Sequence, residues 1–109
     1  IRNYVSETKC VLVGADSVLF DGSAINGTPT GELAVAAEEL GVPFYSVCET
    51  SKVNTLSYLG RKVELKAGFD ITPADLITAR FTDSGRLDTK AIDEIMKNKS
   101  KFFQTVHFK

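Results

Sequence analysis

At 109 residues the chain is one domain or part of one, because a core this small buries only around two-thirds of the surface that the unfolded chain exposes. With 43% hydrophobic and 25% charged residues and a formal net charge of -1, it has the composition of an ordinary globular protein. There is no apolar run long enough to cross a bilayer and no global attraction for nucleic acid, so membrane insertion and direct nucleic-acid binding are not expected.

Ile1 to Lys9 reads as the end of a helix, and a first residue that is not Met reads as a chain cut from something longer. Cys10 to Gly14 is a short continuous apolar run opening into a glycine-containing loop, as a buried parallel strand would be. A long loop follows through Asp16, Asp21-Gly22, Asn26-Gly27 and Pro29, with both glycine pairs read as turns. Thr30 stands where an N-cap belongs, Leu33, Ala34, Ala36, Ala37 and Leu40 recur at helical spacing, and Gly41 supplies the C-terminal stop. Pro43 to Cys48 has the aromatic and β-branched content of a second strand, completing a βαβ unit.

Further along, Lys62 to Leu65 alternates like a short strand, and Phe69 to Pro73 is expected to be a turn with Pro73 opening a helical turn. Leu76 to Thr82 is a strand candidate and Asp83-Ser84-Gly85 a turn. Thr89 to Met96 puts Ile92, Ile95 and Met96 on one helical face. The tail from Lys99 to Lys109 carries Phe102, Phe103, Val106 and Phe108, too apolar to stay in solvent, and is expected to pack on the domain or on a partner. Cys10 and Cys48 lack metal-ligand spacing and are expected to be buried free thiols in a reducing, cytoplasmic compartment.

Ligands of open α/β sheets collect beyond the carboxyl ends of the strands. That edge carries Gly14, Asp16, Asn26 and the Thr28-Pro29-Thr30 approach to the helix, with Glu49, Thr50 and Lys52 after the second strand. The amides after Thr30 and the hydroxyls of Thr28 and Thr30 suit a phosphate or carboxylate, although Thr30 acting only as a cap explains the same residues. Asp16 follows a strand among apolar neighbours, which fits a partly buried proton-transfer group or an ordinary turn aspartate. Lys52 could meet an anion or stay solvated. Asp70 and Asp75 are read as caps of the short helical turn between them. His107 is remote from every other polar cluster, so neither a metal site nor a Ser/His/Asp constellation is expected. No phosphate-binding or dinucleotide-binding glycine pattern occurs, so no cofactor is implied.

Residues 13 to 26, Val-Gly-Ala-Asp-Ser-Val-Leu-Phe-Asp-Gly-Ser-Ala-Ile-Asn, resemble the signature segment of the family uniting the alpha, beta and delta regulatory subunits of translation initiation factor 2B with methylthioribose-1-phosphate and ribose-1,5-bisphosphate isomerases. Val42 to Tyr45, Cys48 to Lys52, Phe69 to Pro73, Leu76 to Thr78 and Thr82 to Gly85 continue the resemblance in order and spacing. It implies an α/β fold, a three-layer Rossmann-like parallel sheet, of which residues 1–109 are the partial, C-terminal portion. In the isomerase branches the aspartate matched by Asp16 transfers the proton with an upstream cysteine that neither Cys10 nor Cys48 matches. Their Asn-Lys-x-Gly-Thr segment reads Asn26-Gly27-Thr28-Pro29-Thr30 here, with glycine in place of the lysine.

On that resemblance the chain is expected to be the ligand-binding and dimerisation part of a regulatory subunit, with aldose–ketose isomerase as the alternative. The expected partners are homologous subunits, a translation initiation factor 2 subunit, and a sugar-phosphate ligand. The implied site is Asp16 as catalyst in the isomerase case, with Gly14, Asn26, Thr28, Thr30 and Lys52 binding substrate.

Overall fold

The computed structural model describes residues 2–54, 63 and 65–107, with side chains described as far as Asn98. In chain order these form α1 (Arg2–Ser6), β1 (Val11–Val13), β2 (Ser17–Val18), β3 (Ala24–Gly27), α2 (Thr30–Leu40), β4 (Phe44–Val47), a 3-10 turn (Thr50–Lys52), β5 (Phe69–Thr72), a second 3-10 turn (Ala74–Leu76), β6 (Ala79–Thr82), β7 (Gly85–Arg86) and α3 (Thr89–His107). The expected strand at Lys62 to Leu65 lies largely outside the described residues.

The main sheet runs β1-β4-β6-β7. Val11, Leu12 and Val13 pair in parallel with Phe44, Tyr45 and Ser46, and Tyr45, Ser46 and Val47 pair in parallel with Ala79, Arg80 and Phe81. β7 turns back antiparallel on β6. The fold is therefore α/β with a Rossmann-like parallel centre, as the sequence implies. The Asp83-Ser84-Gly85 turn forms as expected, with Gly85 at positive φ.

α2 lies against β1, β4 and β5 and presents Ala34, Ala36 and Ala37 to the core, where small side chains let helix and sheet approach closely. Phe44, Val18, Val53, Ile77 and Leu87 complete the core with Ile92 and Met96 from α3. Gly41 ends α2 in the left-handed conformation, its N–H directed to the carbonyls of Ala37 and Glu38. The opposite face of the main sheet is apolar and exposed: Leu12 is 67% accessible, Val47 44% and Phe81 38%. β1 has a neighbour on one side only among the described residues.

Four sequence expectations are corrected here. The long loop after β1 is not irregular: β2 and β3 pair antiparallel within it, and β5 adds to β3 to make a second sheet, β2-β3-β5. Phe69 to Thr72 is that third strand rather than a turn, and Asn26-Gly27 lies inside β3, while Asp21-Gly22 does form the turn. Residues 99–107 extend α3, which runs without a break to His107, and the packing expected of the tail's apolar side chains lies outside the described residues. Cys10 is exposed, and only Cys48 is partly covered. Pairings between segments about forty residues apart decide the first two, and no local pattern announces them. Among the described residues no helix is long and apolar enough to cross a membrane.

Candidate functional site

Past the end of β1 the chain passes Gly14 and Ala15 and turns at Asp16, whose N–H donates to the carbonyl of Ile25 at 2.8 Å. That bond starts the β2–β3 ladder, so Asp16 sits at the junction of the two sheets. Beside it opens a cavity of about 300 Å3 lined by Asp16, Ser17, Ile25, Val63, Lys66 and Phe69. One carboxylate, one hydroxyl, one ammonium and apolar walls suit a small hydroxylated anion, and the volume is at the low end for ligand pockets. Asp16 is exposed rather than partly buried. Its carboxylate has no hydrogen-bond or ion-pair partner among the described residues.

The other expected site residues do not line this cavity. Asn26, one residue beyond Ile25 on β3, donates from Nδ2 to Thr30 Oγ1 at 3.3 Å, and Thr30 Oγ1 donates to the Gly27 carbonyl at 2.6 Å. Thr30 is thus the first residue of α2 rather than its cap, and the position before it is Pro29, joined to Thr28 by a cis peptide bond. Thr28 turns to Gly68, with N–H to carbonyl at 3.0 Å and Oγ1 to the same carbonyl at 3.4 Å. The start of α2 is not open to an anion in the way the sequence suggests. Asp70 Oδ2 accepts from the Gly31 N–H at 2.9 Å, so a carboxylate from β5 already sits on the positive end of the helix. Asp70 therefore caps α2, not the turn beside it, while Oδ1 of the same carboxyl is buried without a partner.

Gly14 and Lys52 lie at the carboxyl edge of the main sheet. A Cβ on Gly14 would stand 3.9 Å from the Val47 carbonyl, between the ends of β1 and β4. Lys52 closes the 3-10 turn after β4. There Thr50 donates to Asp83 Oδ1 from its N–H at 2.7 Å and its hydroxyl at 2.8 Å, bonds that hold the exposed Asp83 carboxyl below the usual aspartate range. Burial, and then Asp83, push the nearby Cys48 thiol up, with Lys52 opposing. Among the described residues no cluster of His, Cys, Asp and Glu could hold a metal ion.

Sequence reasoning missed Ser17, Ile25, Lys66 and Phe69 as lining residues. A local signal for Lys66 does exist, because Lys66-Ala67-Gly68 is a turn into a strand, closed by the Phe69 N–H on the Lys66 carbonyl at 3.2 Å with Gly68 at φ +82°.

Residues 1–68 match the model of the initiation factor 2 subunit family. The chain belongs to that family. It is 32% identical to a ribose 1,5-bisphosphate isomerase of Archaeoglobus fulgidus over 80% of its own length and 34% of the relative's. It is 33% identical to a methylthioribose-1-phosphate isomerase of a Synechococcus species over 82% of its length and 33% of the relative's. Among solved structures it resembles the translation initiation factor eIF-2B of Pyrococcus horikoshii OT3, with a TM-score of 0.65 and 26% identity over 79% of this chain and 36% of that one. The tetrameric eIF2B-beta2-delta2 complex of C. thermophilum shares the fold, with a TM-score of 0.77 and 20% identity over 89% of this chain and 33% of that one. The chain spans about a third of the length of the curated relatives it matches.

Proposed function

We propose that this member of the initiation factor 2 subunit family is the ligand-binding and assembly part of an initiation-factor-2B-like regulatory subunit, and not a working isomerase. The observation that carries this reading is the state of Asp16. Proton transfer on a sugar carbon needs a carboxylate fixed within a fraction of an ångström of its substrate and sheltered from water. Asp16 is exposed, and nothing among the described residues orients its carboxylate. Gly27 adds to this, since it leaves the enzymes' Asn-Lys position without its cation.

Assembly is supported by the apolar outer face of the main sheet. Leu12, Val47 and Phe81 are exposed there, and Tyr45 meets Phe81 with ring centroids 6.0 Å apart. A face of this kind, beside a strand edge with no neighbour among the described residues, attracts a complementary surface. Homologous subunits are the proposed partners on this face, and a translation initiation factor 2 subunit is the proposed client of the assembly.

The isomerase reading keeps one observation in its favour, because the curated relatives at 32–33% identity carry isomerase names. The test is to assay the complete natural protein with ribose 1,5-bisphosphate and methylthioribose 1-phosphate, and to sediment it at micromolar concentration. No turnover and an associated species that Phe81→Asp dissociates are expected. Robust turnover lost in Asp16→Asn would reverse the assignment, and a monomer would remove the assembly role.

A further inference from the structure

We propose that the groove between α1, α2 and the segment from Ile71 to Leu76 receives the basic, aromatic end of α3 from a second copy of this chain. The inference rests on the reading that the chain assembles with homologous subunits. It adds a second contact, on a surface that shares no residue with the face of Leu12, Val47 and Phe81.

The groove follows from what lies against α2. α1, β5 and the second 3-10 turn all contact that helix, and the space left between them is a cavity of about 540 Å3. Its floor is apolar, formed by Val35 and Ala36 of α2 with Ile71, Pro73 and Leu76. Val35 is 47% accessible and Ile71 44%, so two large apolar side chains of the floor stand in water. A cavity of this size admits bulky side chains, and covering such a surface is favourable.

Charge selects the occupant. Glu32 and Glu39 stand on the rim, and the one cation among the described lining residues, Arg2, is taken up by Glu39. Glu32 makes no hydrogen bond or ion pair with a described residue. Glu38 adds a further exposed carboxylate on α2. Two copies meeting through this same face would set these carboxylates against each other, which disfavours α2 on α2. An occupant that is both basic and apolar meets no such repulsion. The end of α3 has that chemistry: no acidic residue lies between Ile95 and Lys109, while Lys99 and Lys101 precede Phe102, Phe103 and Val106. α3 is helical to His107, and positions 99, 102, 103 and 106 are spaced three and four apart, as one stripe of a helix is. An apolar stripe headed by a lysine complements an apolar groove rimmed by a free glutamate. Exchanged reciprocally, two such contacts close a two-fold pair.

The test is sedimentation equilibrium of the complete natural protein at low salt, with urea unfolding as a control. A short helix in a groove is a weak contact that gains from the proximity supplied by the sheet face, so association at micromolar concentration draws on both. Glu32→Lys and Lys99→Glu should each weaken association roughly five- to tenfold. The double variant Glu32→Lys/Lys99→Glu should regain most of that loss, as a charge pair does and a packing defect does not. Val35→Glu, which puts a charge into the apolar floor, should weaken association roughly a hundredfold. Glu32 and Val35 are exposed, so unchanged urea midpoints confirm that only association was altered. In a mixture of isotope-labelled and unlabelled protein, carbodiimide should join Glu32 to Lys99 between a labelled and an unlabelled chain, read by mass spectrometry.

Glu32→Lys and Lys99→Glu proteins that associate within about two-fold of wild type, while Phe81→Asp dissociates, overturn the inference and leave the sheet-face contact in place. Cross-links confined to single chains also overturn it, because the end of α3 then covers the groove of its own copy. The reverse pattern, with the groove variants dissociated and Phe81→Asp unaffected, upholds the inference and counts against the sheet face alone. A wild type that stays monomeric overturns both.

Discussion

Gly22, in the turn between β2 and β3, is where backbone and packing both forbid a side chain, and Gly22→Ala measures how firmly the small sheet is held to the main one. The turn is closed by the Gly22 N–H on the Leu19 carbonyl at 3.0 Å and the Leu19 N–H on the Ser23 carbonyl at 2.9 Å. Gly22 has φ +90°, and a Cβ there would lie 3.2 Å from Cζ and Nη2 of Arg80 and 3.3 Å from Cβ of Ala74. Arg80 cannot simply swing away, because its Nε donates to the Leu87 carbonyl at 3.3 Å. Positive φ costs an alanine about 1–2 kcal/mol. Reduced freedom of the unfolded chain returns about 0.4–1 kcal/mol, and overpacking adds about 1–3 kcal/mol. The net destabilisation is about 2–3 kcal/mol. Gly41→Ala is the control, since Gly41 has φ +68° with nothing within 4 Å of its Cβ position; it should cost about 1 kcal/mol. Urea unfolding of the complete protein followed by circular dichroism should separate the two variants by about 0.5–1 M in midpoint. If Gly22→Ala is no more costly than Gly41→Ala, Arg80 and Ala74 do not pack on the turn, and the argument that they lock the two sheets together fails.

Two further predictions concern the carboxyl edge of the main sheet. Because the Thr50 bonds depress the folded-state pKa of Asp83, their contribution is fully present above the unfolded value, near 3.9, and is lost as pH falls through the folded one. The Thr50 amide resonance should then titrate with a midpoint below the ordinary aspartate value of about 3.9 and become flat in Asp83→Asn; a midpoint at or above that value contradicts the bonding. Iodoacetamide at pH 8 should modify the exposed Cys10 well before Cys48, whose thiol burial and Asp83 push up. Equal rates, read by mass spectrometry, would show that Cys48 is more open than the structure places it.

What the sequence made legible was whatever is local. α2 shows in the spacing of Leu33, Ala34, Ala37 and Leu40, and its end in Gly41, because helical periodicity and a left-handed stop are properties of adjacent residues. β1 and β4 show as short apolar or aromatic runs because a parallel strand covered by a helix needs them, and β6 lies within the expected Leu76 to Thr82 segment. The small sheet was hidden. β2 is two residues long, β3 contains an Asn-Gly pair that reads as a turn, and β5 is joined to β3 by register alone. For the same reason Asp70 was assigned to the nearest helical turn, when the amide it caps, that of Gly31 in α2, lies 39 residues earlier in the chain. Asp16 was found because it stands just past the apolar run that contains β1. Lys66 was not, because its place beside Asp16 exists only once β5 has paired.

The small sheet also explains what holds the backbone around residue 27 in place. β3 is held on one side by β5 and on the other by β2, and its end is fixed to α2 through Asn26, Thr30 and the Gly27 carbonyl. Asp70, opposite Asn26 on β5, grips the Gly31 N–H from the neighbouring strand. None of these bonds needs a side chain at residue 27, so a glycine there leaves the scaffold intact. The cavity beside Asp16 keeps its shape where each segment that lines it is fixed relative to β3. The turn before β5 meets that condition through the Thr28–Gly68 hydrogen bonds. Lys66, on that turn, is thereby held at the cavity that Asp16 also lines, so the wall of the cavity depends on the β3–β5 register and not on any side chain at residue 27.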